Sequence, residues 1–104
     1  MLSICIPAYH CSVDALLRDL QNQLESASGE VEIVVCDDSS PSPIVTNPSE
    51  FPEVRFIRNS KNLGRASTRN VLVQAAQGQA ILFLDGDSEI ISSDGKTIGK
   101  FAIE

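Results

Sequence analysis

A run of four apolar residues that leads straight into two carboxylates most constrains what this chain can fold into. Residues 81–87 read Ile-Leu-Phe-Leu-Asp-Gly-Asp, and an unbroken apolar run of this kind is typical of a parallel strand buried on both faces. Asp85 and Asp87 then fall at the carboxyl end of the strand, where open α/β sheets bind their ligands. Gly86 allows a tight turn or a close approach to a ligand. The run predicts a parallel sheet with a ligand site at its rim.

The acid pair at the end of this run has two interpretations. Carboxylates so close together repel each other unless a cation or hydrogen-bond donors relieve them. A divalent metal that carries phosphates supplies that relief, because hard cations take oxygen ligands and bridge to phosphate. The alternative is a solvated acidic turn, and an Asp-x-Asp pattern taken alone does not decide between the two.

The rest of the chain alternates strand-like and helix-like segments. Strands are predicted at residues 2–7, 31–36, 54–58 and 80–84. One helix is expected to follow a Ser12 cap and to end near Gly29, and a second is expected at residues 65–77. The first helix carries an apolar stripe at intervals of three and four, formed by Val13, Leu16, Leu17, Leu20 and Leu24. Alternation of this kind predicts an α/β fold with a mostly parallel sheet covered by helices.

Two segments lack a clear period. Residues 41–53 contain four prolines and are interpreted as a surface excursion. Residues 89–104 form a weakly defined tail, in which residues 96–103 are a candidate strand.

Composition limits the domain count, the class of partner and the redox setting. The chain has 104 residues with 42% hydrophobic content, which suits a single domain over residues 1–104. A formal net charge of −6 argues against nucleic acid and against an anionic membrane surface as partner. No apolar run reaches the roughly 20 residues of a membrane span, so we expect a cytoplasmic protein, or the cytoplasmic part of something larger that is membrane-associated. The three cysteines match no zinc spacing, and Cys5 and Cys36 are predicted to be buried thiols.

The predicted topology brings chemically active side chains from distant parts of the sequence to one rim. Phosphate charge not covered by a metal could be met by the cations among them. The rim set consists of Tyr9 and His10 after the first strand, Asp37 and Asp38 after the second, Lys61, Arg65 and Arg69 before the fourth, and Asp85 and Asp87 after it.

Four segments of the chain resemble the family 2 glycosyltransferases of the GT-A fold. They are Ser-Ile-Cys-Ile-Pro-Ala-Tyr-His at 3–10, Glu-Ile-Val-Val-Cys-Asp-Asp-Ser-Ser at 32–40, Asn-Leu-Gly-Arg-Ala-Ser-Thr-Arg-Asn at 62–70, and Leu-Phe-Leu-Asp-Gly-Asp at 82–87. The four occur in the family's order and cover roughly residues 2 to 88. The resemblance implies a three-layer α/β/α fold, a truncated Rossmann-like GT-A domain, with strand order about 3-2-1-4.

The resemblance also implies a site for a nucleotide-diphosphate sugar. Ala8 and Tyr9 would lie beside the nucleoside, and Asp38 would accept a hydrogen bond from the base, expected to be uracil. Arg69 would lie close to the nucleotide, or would instead brace Asp85 within the fold.

The resemblance assigns the acid pair to the diphosphate. Asp85 would meet the ribose, or the metal through water, and Asp87 would hold Mg²⁺ or Mn²⁺. Such a metal bridges both phosphates and stabilises the leaving diphosphate.

Three departures from the family pattern bear on activity. Family members are longer, and their second half supplies the acceptor site and, in inverting enzymes, a carboxylate base. Ser88 stands where many relatives carry another Asp, and His10 where many carry Asn. None of the later acids, at positions 89, 94 and 104, is placed as a base, so no catalytic residue is predicted within this chain.

Two functions therefore stay open. In the first, the chain is the donor-binding half of a metal-assisted enzyme that transfers a sugar from a UDP-sugar to an acceptor hydroxyl. In the second, it is a non-catalytic nucleotide-binding module, or an inactive truncated remnant that self-associates as a homo-oligomer through apolar surface. A phosphorylatable receiver domain is disfavoured, because Pro-Ala-Tyr stands after the first strand where its acidic pair is needed. A dinucleotide-binding domain is disfavoured because Gly-x-Gly-x-x-Gly is missing there.

Overall fold

The computed structural model of the chain describes residues 1–24 and 30–86. Within these ranges four strands and two α-helices form: β1 (Leu2–Ala8), α1 (Asp14–Leu24), β2 (Val31–Asp37), β3 (Val54–Arg58), α2 (Arg65–Ala75) and β4 (Ala80–Phe83), with a short 3₁₀ turn at Pro48–Glu50. All six predicted elements are present, and apart from the end of α1 their bounds differ from the predictions by no more than two residues. The predicted helix stop at Gly29 and the candidate strand at 96–103 lie outside the described residues. Neither described helix is long and apolar enough to cross a membrane.

The sheet has the order β3-β2-β1-β4, and every pairing in it is parallel. This confirms the predicted strand order and fold class. Because the strands are parallel, their carboxyl ends meet at one edge. That edge carries Ala8 at the end of β1 and Asp37 at the end of β2 in direct register.

Both faces of the sheet are buried. On the central strand β1, Ile4 and Ile6 point to the face covered by α1, while Cys5 points to the face covered by α2. The predicted stripe of α1 is confirmed, since Leu17 and Leu20 are fully buried. Burial of a leucine side chain is worth roughly 1.5–3 kcal/mol, so this stripe is a main attachment of α1 to the sheet.

The proline-containing segment at 41–53 contributes more to the core than the sequence predicted. Ile44 is 5% exposed and Phe51 is 1% exposed, and both pack in the cluster that joins α1 to the sheet. The Val13 N–H donates to the Ile44 carbonyl at 2.7 Å, which ties the segment to the start of α1. The prediction of a surface excursion was therefore wrong for these two side chains. Isolated apolar residues between prolines show no helical or strand-like spacing, so their burial could not be predicted.

Helix α2 ends at Ala75, two residues before the predicted end, because the chain must then pass close to β1. A Cβ atom on Gly78 would lie 2.6 Å from the Met1 carbonyl oxygen and 2.7 Å from Ser3 Oγ. Glu32 holds the turn from the other side, accepting hydrogen bonds from the Gln77 N–H and Ser3 Oγ. Gly78 is thus required by close packing, whereas the helix itself is capped two residues earlier by the extended Ala76.

The three thiols are expected to react at very different rates. Burial raises the pKa of Cys5 to about 11, helped by Glu32, and burial raises the pKa of Cys36 to about 11, helped by Asp38 and Asp37. Cys11 is partly exposed. Because the thiolate is the reactive form, titration of the native chain with an aromatic disulfide should show one fast thiol, and Cys11→Ser should remove that phase. A fast phase that survives in this variant would contradict the assignment.

Candidate functional site

A cavity of about 560 Å³ opens at the carboxyl-end edge of the sheet. Its volume lies within the range of roughly 300–1,000 Å³ that small-molecule sites occupy. It is enclosed by the ends of three strands and the start of α2. Its lining consists of Pro7, Ala8, Tyr9, His10, Cys11, Asp38, Asn62, Gly64, Arg65, Thr68 and Asp85.

The loop after β1 forms one wall of this cavity. Ala8 is buried, whereas Tyr9 is 52% exposed and is available for contact with a flat ligand. His10 adopts a left-handed backbone conformation with φ 55°, and its N–H donates to Ser40 Oγ at 2.9 Å. His is among the non-glycine residues that are enriched in this conformation, so it suits this turn.

Gly86 places the end of β4 against the loop after β1. Its N–H donates to the Pro7 carbonyl at 3.1 Å, and a Cβ atom there would lie 3.0 Å from Ala8 Cβ and 3.1 Å from Cys11 Sγ. Gly86 is therefore required by close packing against the protein's own loop, whereas its predicted close approach to a ligand stays a prediction. Asp85 is exposed in the cavity wall as a result. Asp87 lies outside the described residues.

Asp38 is buried at 4% exposure and receives a full set of hydrogen bonds from the turn before α2. One carboxylate oxygen accepts from Asn59 Nδ2 at 2.9 Å and from the Leu63 N–H at 2.7 Å. The other accepts from Asn62 Nδ2 at 3.1 Å and from the Gly64 N–H at 2.9 Å. Since a carboxylate offers about four acceptor positions, the turn itself occupies Asp38. The predicted hydrogen bond from Asp38 to a base stays a prediction.

The roles of three polar residues in this network were not predicted from the sequence. Asn59 is buried, and its Nδ2 also donates to Thr68 Oγ1 at 3.1 Å. Thr68, a polar residue on α2, is also buried, with 1% exposure. Asn62 donates to the Asp38 backbone carbonyl as well as to its carboxylate. The apolar residues of α2 form no strong stripe, and this is the one sequence signal that could have pointed to polar groups on its buried face.

The neighbouring carboxylate, Asp37, has a structural role. Asp37 is 7% exposed and accepts from the Ser40 N–H at 2.8 Å. It also forms an ion pair with Arg58, which in turn donates to the Ser40 carbonyl. Asp37 therefore fixes the turn after β2.

The predicted cations occupy different places. Arg65 is exposed in the cavity wall, whereas Lys61 is exposed outside it. The Arg69 guanidinium lies over the Phe83 ring, 4.2 Å from its centroid, and Arg69 is not among the residues that line the cavity. This contact places Arg69 beside the end of β4; its predicted role, near the nucleotide or as a brace for Asp85, stays a prediction.

The carboxylates at the end of β4 suit a metal ion that takes most of its ligands from substrate phosphates and water. Within residues 1–24 and 30–86 no three His, Cys, Asp or Glu side chains are grouped to hold an ion. Asp85 supplies one exposed carboxylate. Mg²⁺ is commonly bound by one or two carboxylates together with substrate phosphates, so Asp85, with Asp87 two residues on, fits that mode of binding.

Acid is expected to weaken the fold through Asp38. Burial opposes ionisation of Asp38, but the hydrogen bonds from Leu63, Asn59 and Gly64 outweigh it and hold its pKa below the ordinary 3.8. The pKa of Asp14 is also lowered, chiefly by the Thr46 hydroxyl. At low pH the unfolded chain binds more protons than the folded chain, so stability rises with pH in that range. The urea midpoint should stay level above about pH 5 and fall below about pH 4; a level midpoint down to pH 2.5 would contradict this.

Comparison with known proteins decides the family. The sequence profile described as "Glycosyl transferase family 2" matches residues 3–95. The chain belongs to this family. The resemblance in the four sequence segments is thereby confirmed, and so is the GT-A type of fold.

Two curated proteins are similar to this family 2 chain. An uncharacterized glycosyltransferase of Haemophilus influenzae is 39% identical over 84% of the chain and 29% of its own length. The UDP-Glc:alpha-D-GlcNAc-diphosphoundecaprenol beta-1,3-glucosyltransferase WfaP of Escherichia coli is 33% identical over 84% of the chain and 35% of its own length. The chain thus spans about a third of the length of the curated relatives it matches.

A solved structure has the same fold. The mannosyltransferase PcManGT of Pyrobaculum calidifontis, in complex with GDP-Man and Mn²⁺, matches with a TM-score of 0.66 at 22% identity, over 89% of this chain and 29% of that one. At this identity the match shows a shared fold.

Proposed function

We propose that this family 2 chain binds the donor in glycosyl transfer: a nucleoside-diphosphate sugar, with a UDP-sugar expected, held together with Mg²⁺ or Mn²⁺. The sugar would pass to an acceptor hydroxyl. The observation that carries this proposal is the cavity of about 560 Å³ at the strand ends, which joins an exposed Tyr9 ring to an exposed Asp85 carboxylate.

The nucleoside is assigned to the wall formed by the loop after β1. Tyr9 offers a half-exposed aromatic face, and stacking on an aromatic side chain is worth roughly 1–3 kcal/mol per base. Ala8 lies buried at the cavity edge, where a small side chain leaves room for the ring.

The diphosphate is assigned to the end of β4. Asp85 and Asp87 would hold the divalent metal, which neutralises the charge that develops on the leaving diphosphate. Arg65 lies exposed in the same cavity and supplies a cation for phosphate oxygens that the metal leaves uncovered. The mannosyltransferase of Pyrobaculum calidifontis was solved in complex with GDP-Man and Mn²⁺, which supports this class of ligand, and the name of the WfaP relative supports UDP as the nucleotide.

A binding module without transfer activity is the second candidate. Among the described lining residues the carboxylates are Asp38 and Asp85. The acceptor positions of the Asp38 carboxylate are occupied by hydrogen bonds from its own chain, and Asp85 is assigned to the metal. Neither is placed to take a proton from an acceptor hydroxyl, and this favours donor binding as the role of these residues.

Titration calorimetry tests donor binding directly. UDP is titrated into the chain with Mn²⁺ and again with EDTA. Binding that is tighter in Mn²⁺ than in EDTA is expected. As a second readout, UDP with Mn²⁺ should slow alkylation of Cys11, which lines the cavity, and Cys11→Ser should report the background from the buried thiols. If UDP in Mn²⁺ gives no binding heat and does not protect Cys11 from alkylation, the proposal is overturned.

Turnover and assembly separate the two candidates. Release of UDP from a UDP-sugar in the presence of sugar acceptors would establish an enzyme, whereas Mn²⁺-dependent binding without release would establish a module. The self-associating remnant requires a dimer or larger species in sedimentation at high concentration, and a monomer there would exclude it.

A further inference from the structure

We propose that the outer edge of β3 is a contact surface for a second copy of this chain, with the two β3 strands paired antiparallel about a two-fold axis at Phe56. This surface lies apart from the donor site, because no residue of β3 lines the cavity at the strand ends. In the order β3-β2-β1-β4, β3 is an end strand, and within residues 1–24 and 30–86 no strand lies on its outer side.

The main chain of β3 presents unpaired polar groups along this edge. The Asn59 N–H points into the sheet and donates to the Asp37 carbonyl at 2.9 Å. Because the N–H and C=O groups of successive strand residues point to opposite sides, those of Phe56 and Arg58 point away from β2. The part of the chain that the structure describes makes no hydrogen bond to the outward N–H groups of these two residues. Such an edge is a template for pairing with another strand.

An exposed aromatic side chain lies at the middle of the edge. Val54 packs against the core cluster under α1, so Phe56, two residues further along the strand, lies on the same side of the sheet. Phe56 is 37% exposed. It is the central residue of β3 (Val54–Arg58), and centring the two-fold axis on it gives the one register in which every residue of β3 is paired. The two Phe56 rings then become cross-strand neighbours, an aromatic pair that stabilises a sheet.

The charges around β3 favour the antiparallel direction. Arg55 and Arg58 are each ion-paired with an acid of β2, which lowers the repulsion between two copies of the edge. Exposed charges of opposite sign flank the strand, with Glu53 before it and Lys61 after it. Antiparallel pairing places the acidic start of one β3 beside the basic end of the other, whereas parallel pairing would bring like charges together.

Sedimentation equilibrium over a concentration series tests this surface with the unmodified chain, Phe56→Lys and a control, Val73→Lys. The unmodified chain should form dimers as its concentration rises. Phe56→Lys brings two ammonium groups together at the axis and should weaken dimerisation at least about tenfold, as loss of a central interface residue does. Val73 is 45% exposed on α2, so the control makes a similar loss of apolar surface and gain of charge away from β3. It should dimerise as the unmodified chain does.

Amide hydrogen exchange, followed by NMR, tests the same surface without any substitution. At high concentration the outward N–H groups of Phe56 and Arg58 should exchange more slowly than at low concentration. The Ile57 N–H, which points into the sheet, should gain less protection.

The outcomes bear on the β3 surface alone. A chain that is monomeric at every concentration would overturn the proposal. A dimer that Phe56→Lys leaves intact, or that Val73→Lys weakens equally, would overturn the assignment to β3, and so would a dimer in which the Phe56 and Arg58 amides gain no protection. Calorimetry with UDP is a separate measurement, so failure of donor binding and failure of dimerisation are distinguished.

Discussion

Asp38→Asn is expected to destabilise the domain by roughly 3–5 kcal/mol, although it replaces a carboxylate by an amide of the same shape. The carboxylate accepts hydrogen bonds from Asn59, Asn62, Leu63 and Gly64. The amide would turn a donor toward two of them. Hydrogen bonds to a charged group are worth about 1.5–3 kcal/mol each. The loss is a large share of the roughly 5–15 kcal/mol by which a domain is usually stable.

Asp37→Asn is the matched control, because it makes the same chemical change at the adjacent, equally buried position. Asp37 accepts from the Ser40 N–H and pairs with Arg58, whose side chain is 56% exposed. An amide retains an oxygen for Ser40, and an ion pair with so exposed a partner is worth about 0–1 kcal/mol. Urea unfolding of both variants, followed by circular dichroism, should show the larger loss for Asp38→Asn; equal losses would contradict the role assigned to Asp38.

The α/β alternation could be predicted because each element carries its own local signal. On β1, Ile4 and Ile6 alternate with Cys5, and the leucines of α1 recur at helical spacing. Burial on both faces makes the strands read as continuous apolar runs. Parallel topology then places the strand ends at one rim without any knowledge of side-chain contacts.

The interior of the rim could not be predicted in the same way. Asn59 and Asn62 look like ordinary turn residues in the sequence, and their hydrogen bonds to Asp38 span 21 and 24 positions. The sequence shows that Asp38 follows a strand. How many of its acceptor positions are already occupied depends on how the turn before α2 folds back onto the carboxylate. Phe51 was missed for a related reason, since a single apolar residue among prolines has no period.

Asp85→Asn is expected to lower the affinity for UDP in Mn²⁺ roughly 10- to 100-fold, the usual effect of removing a group that supports a bound metal. The amide retains the size of the side chain but loses the negative charge that a hard cation requires. Calorimetry in Mn²⁺ and in EDTA measures the effect. Glu53→Gln, an exposed acid of the described region that does not line the cavity, provides the control for the loss of one charge and should bind as the unmodified chain does.

The comparison of UDP affinities in Mn²⁺ and in EDTA decides whether Asp85 contacts the metal or the ribose. If Asp85 supports the metal, Asp85→Asn binds UDP more weakly than the unmodified chain in Mn²⁺, whereas the two proteins bind UDP equally in EDTA. If Asp85 instead accepts hydrogen bonds from the ribose, affinity falls by the same factor in both conditions, because the ribose contact needs no ion. A direct metal ligand should lose more affinity than a group that acts through water, so Asp87→Asn should be the weaker binder of the two in Mn²⁺. An Asp87→Asn variant that binds UDP as tightly as the unmodified chain in Mn²⁺ would remove Asp87 from the metal site.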